Sequence, residues 1–142
     1  MIRIAIVEDE DMYVQQFTGY LKEYQKTCEE ELNVTIYRDG DGIVEHYKAQ
    51  FDIILMDIQM RFMDGMSAAE EIRKVDSEVV IMFITNMTQY AIRGYEVDAL
   101  DYILKPVSYF AFTQKLGRAI ARIHRRETSQ ITVPVKGGIV RL

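Results

Sequence analysis

The stretch Phe51-Asp52-Ile53-Ile54-Leu55-Met56-Asp57 decides the fold of this chain. Four consecutive apolar residues that end at an acidic side chain indicate a β-strand covered on both faces, and such strands are typical of parallel sheets in α/β proteins. Open parallel sheets hold their ligands beyond the carboxyl ends of the strands. Asp57 is therefore the first candidate for a functional residue.

Three further strand-like runs end in polar residues in the same way. Residues 2–7 precede Glu8-Asp9, residues 79–84 precede Thr85, and residues 100–104 precede Lys105-Pro106. Because the carboxyl ends of parallel strands meet at one edge of a sheet, we expect three carboxylates, a hydroxyl and an ammonium group to lie together there. Such a set can hold a divalent cation and a phosphoryl group.

Strand-like and helix-like segments alternate along the chain. The patterns predict strands near residues 2–7, 34–37, 51–57, 79–85 and 101–104, and helices near 11–27, from a turn at 39–42 through 47, and at 67–75, 89–94 and 109–126. Ser67 and Glu70 have the spacing of a capping box at the third helix. Five βα units predict an α/β fold, a doubly wound five-stranded parallel sheet with helices on both faces.

Taken one at a time, the polar strand ends have ordinary explanations. Glu8 and Asp9 could be a solvated loop start or a helix N-cap, and Lys105-Pro106 could be a plain strand exit. The same explanation is weak for the whole set, because each residue type falls at the end of its own strand and in a fixed order. His46 and His124 lie on predicted helices without ligand-like neighbours, so the sequence favours no histidine-based site.

The ordered set Glu8-Asp9, Asp57, Thr85 and Lys105-Pro106 resembles the receiver domain of two-component response regulators. The resemblance covers residues 1–127 and implies the flavodoxin-like (βα)5 fold. Residues 95–106 are similar to receivers of the LytTR class, which precede a β-rich DNA-binding domain. The tail at 131–142 is similar to the opening strand and turn of that domain, so 128–142 are interpreted as a linker and its first strand. We expect this tail to be mobile, because a lone strand lacks pairing partners.

The resemblance implies a metal site and a phosphoacceptor. In receivers, the residues equivalent to Asp9 and Asp57 ligate Mg²⁺ together with the backbone carbonyl of Gln59, and Glu8 would act through water. Asp57 would be the nucleophile that receives the phosphoryl group from a sensor histidine kinase. Glu8 departs from the more frequent aspartate at its position, and Arg61 stands where many receivers have proline.

The resemblance also assigns the residues that contact and sense the phosphoryl group. Lys105 and Thr85 would contact its oxygens, with the Lys105-Pro106 bond in the cis form that is usual in receivers. Thr85 and Tyr102 would form the switch that reports phosphorylation. The face expected to repack and form a homodimer on phosphorylation comprises the fourth helix, fifth strand and fifth helix. It includes Tyr90, Ile92, Tyr95 and Tyr109.

Composition limits the other possibilities. A chain of 142 residues with 49% apolar content can bury one sizeable core, and it has no apolar stretch long enough for a membrane span, so we expect a cytoplasmic protein. Of the net charge of −5, residues 114–142 contribute +6 and residues 1–113 contribute −11. An acidic body repels phosphates, so DNA binding is expected through the missing C-terminal domain and not through this part alone.

Three functions fit these features. The leading one is a transcriptional response regulator, which is not an enzyme beyond its own Mg²⁺-dependent phosphorylation and dephosphorylation. A stand-alone receiver that acts as an adaptor is the second, and the tail at 131–142 argues against it. The third is a phosphohydrolase with an aspartyl-phosphate intermediate. Such enzymes commonly carry a second aspartate two residues after the nucleophile, where this chain has Gln59.

Overall fold

A computed structural model describes the backbone of residues 1–87, 91–130, 133–135 and 138–140. The side chains of Ala91, Ile92, Tyr95 and residues 128–140 lie outside this description. Five strands and five helices alternate as predicted, followed by two short strands. They are β1 (Ile2–Val7), α1 (Asp11–Gln25), β2 (Leu32–Tyr37), α2 (Gly40–Val44), β3 (Ile53–Met56), α3 (Gly65–Arg73), β4 (Val80–Thr85), α4 (Ala91–Glu96), β5 (Asp101–Leu104), α5 (Tyr109–Gln130), β6 (Val133–Val135) and β7 (Gly138–Val140).

The first five strands form one parallel sheet in the order β2-β1-β3-β4-β5. The predicted doubly wound fold is therefore confirmed. The chain leaves β1 for β2 on one side and reaches β3 on the other, so the strand order reverses between β1 and β3. In sheets of this kind the crevice for a ligand opens at that reversal, which is where Glu8, Asp9 and Asp57 lie.

Alternating strand residues build a separate core on each face of the sheet. Ile4 and Ile6 of β1 face α1 and α5, where they pack with Phe17, Phe112 and Leu116. The intervening strand residues face the helices of the other side and pack in a second core. That core includes Ala5, Val7, Ile43, Ile54, Met56, Met66, Ile72 and Val97. Because β1, β3 and β4 are covered on both faces, they read as continuous apolar runs.

Two helix starts differ from the predictions. Residues 39–42 are not a separate turn, because Asp39 is the N-cap of α2 and accepts a hydrogen bond from the backbone N–H of Asp41. The helix ends at Val44 and does not reach Tyr47. At α3 the predicted capping box is wrong: the N-cap is Asp64, whose Oδ1 accepts from the backbone N–H of Ser67 at 2.7 Å.

The end of the chain also differs from expectation. Helix α5 continues to Gln130, and the strand expected to be alone is paired, since β6 lies antiparallel to β7 with Val133 opposite Val140. The predicted fourth helix begins outside the described residues, and its described part is Ala91–Glu96. Among the described residues, no helix has the length and apolar character needed to cross a bilayer.

Candidate functional site

The carboxyl ends of β1, β3, β4 and β5 converge on a cavity of about 330 Å³. Glu8 and Asp9 follow β1, Asp57 follows β3, Thr85 ends β4 and Lys105 follows β5. The walls of the cavity comprise Asp9, Glu10, Asp57, Gln59, Met60, Arg61, Asn86 and Lys105. The fold thus brings together the polar strand ends that the sequence singled out.

Lys105 is the central charged group of the site. Its Nζ donates to Glu8 Oε1 at 2.8 Å and to Asp57 Oδ2 at 3.1 Å, and the three side chains are only 3%, 2% and 7% exposed. Burial alone would lower the pKa of Lys105, but the hydrogen bond to Glu8 and the charge of Asp57 outweigh it and raise the pKa above its usual value. Lys105 is therefore a fixed ammonium cation that links β1, β3 and β5.

Three carboxylates surround one side of this cation. Oxygen atoms of Glu8, Asp9 and Asp57 lie within 4.8 Å of one another; Glu8 and Asp57 are buried and Asp9 is exposed. Burial raises the pKa of Glu8 above its usual value, against the opposing hydrogen bond from Lys105. Lys105 supplies one positive charge for three acids. A group of oxygen donors with excess negative charge fits a hard divalent cation such as Mg²⁺.

Hydrogen bonds to neighbouring backbone groups hold both the main chain and the side chain of Asp57. Its N–H donates to the carbonyl of Val7 at 3.0 Å, and its Oδ1 accepts from the N–H of Ile58 at 2.7 Å. The N–H of Gly65 then donates to the carbonyl of Ile58 at 2.8 Å, which closes the segment after Asp57 into a loop. These bonds fix the carboxylate at the floor of the cavity, with Oδ2 towards Lys105.

Thr85 and Tyr102 are not among the described residues that line the cavity. The Thr85 side chain is fully buried, and its Oγ1 accepts from the backbone N–H of Met87 at 3.2 Å. The ring of Tyr102 packs against Phe83 at a centroid distance of 6.0 Å, and its hydroxyl donates to the carbonyl of Met87. Both predicted switch residues therefore make hydrogen bonds with the backbone of Met87, which lies just beyond the end of β4.

Other predicted features have mixed outcomes. The Lys105-Pro106 bond is cis, as expected. Gln59 is a wall residue of the cavity. Of the face predicted to form a dimer, Tyr90 and the side chains of Ile92 and Tyr95 lie outside the described residues, and Tyr109 is 38% exposed.

Sequence reasoning missed Tyr13. Tyr13 lies in the first turn of α1, and the centroid of its ring is 3.8 Å from Lys105 Nζ. The sequence feature that could have identified Tyr13 is its position four residues before Phe17, which places both rings on one face of the helix.

Comparisons with known proteins agree with this geometry. The sequence model of the response regulator receiver domain matches residues 4–116, and the chain belongs to this family. It is 32% identical to the sensory transduction protein LytT of Bacillus anthracis, over 99% of the chain and 55% of the relative. It is 33% identical to the transcriptional regulatory protein PcoR of Escherichia coli, over 94% of the chain and 56% of the relative.

A solved structure has the same fold. The response regulatory domain of the protein mrkE from Klebsiella pneumoniae superposes with a TM-score of 0.78 at 24% identity, covering 87% of this chain and 99% of that domain. The chain spans slightly more than half the length of LytT and PcoR. It thus contains the receiver domain of a two-component response regulator, a class that binds Mg²⁺ at an acidic pocket, and the relative PcoR is a transcriptional regulatory protein.

Proposed function

We propose that this receiver accepts a phosphoryl group on Asp57 from a sensor histidine kinase in the cytoplasm. We further propose that it controls transcription through a LytTR-type DNA-binding domain, with residues 1–127 as the receiver and 128–142 as the linker and the start of that domain, which includes the paired strands β6 and β7. The observation that carries the proposal is the buried Lys105 ammonium between Glu8 and Asp57, beside an acidic cluster at the reversal of the strand order. Phosphoryl transfer needs a fixed nucleophile and compensation of negative charge, and this arrangement supplies both.

The nucleophile is a carboxylate oxygen of Asp57. A bond forms between this oxygen and the phosphorus of a phosphohistidine while the phosphorus–nitrogen bond breaks, and the imidazole keeps the electron pair and takes up a proton from solvent. The product is an acyl phosphate on Asp57. The bond from the N–H of Ile58 to Oδ1 limits rotation of the carboxylate, so the attacking oxygen is oriented before the donor arrives.

Charge compensation comes from the protein and from a metal ion. Mg²⁺ would be held by Asp9, Asp57 and the backbone carbonyl of Gln59, with Glu8 acting through water, and when bound it would neutralise charge on the phosphoryl oxygens. Lys105 lies 3.1 Å from Asp57 Oδ2, so its ammonium is within reach of an oxygen of the transferred group. Thr85 would offer its hydroxyl to another of these oxygens.

The structural response to phosphorylation would depend on Thr85 and Tyr102. If the Thr85 hydroxyl turns to the phosphoryl group, Met87 loses one of its hydrogen bonds, and Tyr102 would shift together with the Met87 carbonyl to which its hydroxyl donates. This rearrangement would repack the face formed by α4, β5 and α5 and produce a homodimer that presents two DNA-binding domains. We expect no enzymatic activity beyond the chain's own phosphorylation and dephosphorylation.

The test is the intact mass of the wild type and of Asp57→Asn after incubation with acetyl phosphate, with and without Mg²⁺. We expect one added phosphoryl group on the wild type, dependent on Mg²⁺, and none on Asp57→Asn. A matched control is Asp52→Asn, because Asp52 precedes the other end of β3 and pairs with Arg3 at 3.1 Å, so it should still be labelled. A wild type that gains no mass, or an Asp57→Asn protein that gains as much, would refute the acceptor assignment.

A further inference from the structure

The ring of Tyr13 lies directly against the charged group of the site. Its centroid is 3.8 Å from Lys105 Nζ, well inside the distance at which an aromatic face attracts an ammonium ion. Lys105 is 3% exposed and Tyr13 is half-buried, so little water screens this contact. Among the residues that the structure describes, the ammonium therefore contacts the carboxylates of Glu8 and Asp57 and the ring face of Tyr13.

Packing fixes the ring in place. Tyr13 stacks on Phe17 with centroids 5.8 Å apart, and Phe17 stacks on Phe112 of α5 with centroids 5.6 Å apart. Both phenylalanines are only 2% exposed. A ring held by a fully buried stack has little freedom to leave the ammonium group, because neighbouring rings occupy the space into which it would turn.

The same face of α1 also holds the backbone that follows Lys105. The Tyr20 hydroxyl donates to the carbonyl of Val107 at 2.8 Å, and the Tyr20 ring packs against Phe112 at 5.1 Å. Helix α1 thus contacts this segment at two points, the ammonium through Tyr13 and the main chain through Tyr20.

We propose that Tyr13 is a positioning residue for Lys105 in phosphoryl transfer, a role that rests on the proposed function. Before transfer, Glu8 and Asp57 hold the ammonium by charge. During transfer Asp57 shares its electron pair with phosphorus, and its attraction for Lys105 weakens. The ring of Tyr13 is neutral and takes no part in the bond changes, so it keeps the ammonium directed at the oxygens of the transferred group while the carboxylate changes its charge.

The test compares initial rates of phosphorylation by acetyl phosphate at saturating Mg²⁺, followed by intact mass. Tyr13→Phe keeps the ring face and should react at the rate of the wild type. Tyr13→Leu loses the ring face and should react roughly three- to thirtyfold more slowly, the range for a cation–π contact between exposed and desolvated sites. Tyr24→Leu is the matched control, since Tyr24 is a half-buried tyrosine on the same helix that packs on the same core away from Lys105. It should keep the wild-type rate.

A double-mutant cycle separates positioning from a general loss of structure. In a Lys105→Met background, Tyr13→Leu should have no further effect on the rate, because its target is gone. Equal effects in both backgrounds would overturn the proposal, as would a Tyr13→Leu protein that reacts like the wild type. If Tyr13→Leu does not fold, phenylalanine analogues with one to three ring fluorines at position 13 keep the shape and weaken the negative ring face. The rate should then fall with each fluorine, and a constant rate would overturn the proposal.

The controls distinguish this proposal from the proposed function. An unlabelled wild type would refute phosphoryl acceptance itself, and the role of Tyr13 with it. A labelled wild type with an insensitive Tyr13 would refute only the positioning role.

Discussion

Gly65 lies so close to Asp57 that a Cβ at position 65 would be 2.0 Å from the Asp57 carbonyl oxygen. Only a residue without a Cβ allows this approach, because non-bonded carbon and oxygen atoms do not come within 3.0 Å. The approach lets the N–H of Gly65 reach the carbonyl of Ile58 and close the loop after Asp57. The start of α3 is thereby fixed against the residue that we propose as phosphoacceptor.

Gly65→Ala should lower the free energy of unfolding and should also displace the main chain of Asp57. The new methyl group meets backbone and not a flexible side chain, so the loop must shift, at a cost of about 2–4 kcal/mol in the free energy of unfolding. Urea denaturation measures this cost. Gly19→Ala is the control, since a Cβ there meets nothing within 4 Å and Gly19 lies inside α1. It should stabilise by about 0.5–1 kcal/mol, and equal stability of the two variants would contradict the steric argument.

Asp39 should make stability depend on pH on the acidic side. Burial acts to raise the pKa of its carboxyl, but backbone N–H donors outweigh it and hold the pKa below its usual value; those of Phe62 and Met63 lie at 2.9 and 2.8 Å. The unfolded chain therefore binds the proton more tightly than the folded one. The stabilisation from Asp39 is complete above the usual aspartate pKa and is lost as pH falls through the lowered pKa.

Asp39→Asn should consequently be less stable than the wild type at neutral pH, by about 2 kcal/mol from weaker hydrogen bonds, and the difference should shrink in acid. Denaturant unfolding at a series of pH values measures it. Asp41→Asn, an exposed acid in the first turn of the same helix, controls for the loss of one negative charge. A pH-independent difference for Asp39→Asn would show that the carboxylate charge is not the cause.

Arg73 is expected to stabilise the fold outside the site. Its guanidinium donates to the carbonyls of Val97 at 2.6 Å, Val79 at 2.7 Å and Asp98 at 3.0 Å, and burial lowers its pKa. These bonds tie the end of α3 to the starts of β4 and β5. Arg73→Met removes the donor from the partly buried carbonyls of Val97 and Val79 and from the exposed carbonyl of Asp98. It should cost about 3 kcal/mol of unfolding free energy.

The neighbouring Lys74 provides the control for Arg73. Lys74 is exposed, and its ion pair among the described residues is with Glu71 one turn earlier, so Lys74→Met should have a free energy of unfolding close to that of the wild type. A similar midpoint for both variants in thermal denaturation would mean that the carbonyls find other donors.

Tyr102 should couple phosphorylation to dimerisation. Tyr102→Ala removes both the hydroxyl that bonds Met87 and the ring that packs on Phe83. We expect this variant to gain a phosphoryl group at the wild-type rate and to remain a monomer in size-exclusion chromatography. Tyr102→Phe keeps the ring but loses the hydroxyl bond to Met87, so it should be phosphorylated like the wild type and dimerise to an extent between those of the wild type and Tyr102→Ala. Dimerisation of phosphorylated Tyr102→Ala to the wild-type extent would refute the switch assignment.

The polar strand ends were predictable because each feature is local. An apolar run identifies a buried strand, its last residue identifies the edge of the sheet, and parallel pairing brings the edges of β1, β3 and β5 together. As the sequence predicted, Lys105 lies in contact with Glu8 and Asp57. Helix α5 was predicted too short because its polar end lacks apolar periodicity, yet residues 127–130 contain no glycine or proline to end it.

Features that depend on distant contacts were not predictable. The sequence predicted that α3 starts at Ser67, but the close approach of Gly65 to Asp57 starts the helix earlier, with Asp64 as its N-cap. Helix α2 ends at Val44 because Glu45 has an extended backbone with ψ 121° and His46 then adopts a left-handed conformation with φ 62°. The Tyr47 hydroxyl donates to Asp76 at 2.7 Å across the fold. Such contacts appear only when the whole sheet is assembled.

The span of the Lys105 contacts has a consequence during protein synthesis. Lys105 is 97 residues from Glu8 and 48 from Asp57, and it enters after the last strand of the sheet. During synthesis, Asp57 is therefore added to the chain well before Lys105, whose ammonium group pairs with its carboxylate. Unfinished chains and fragments that end before the fifth strand therefore lack the assembled site that we propose as acceptor, and they would not draw phosphoryl groups away from finished molecules.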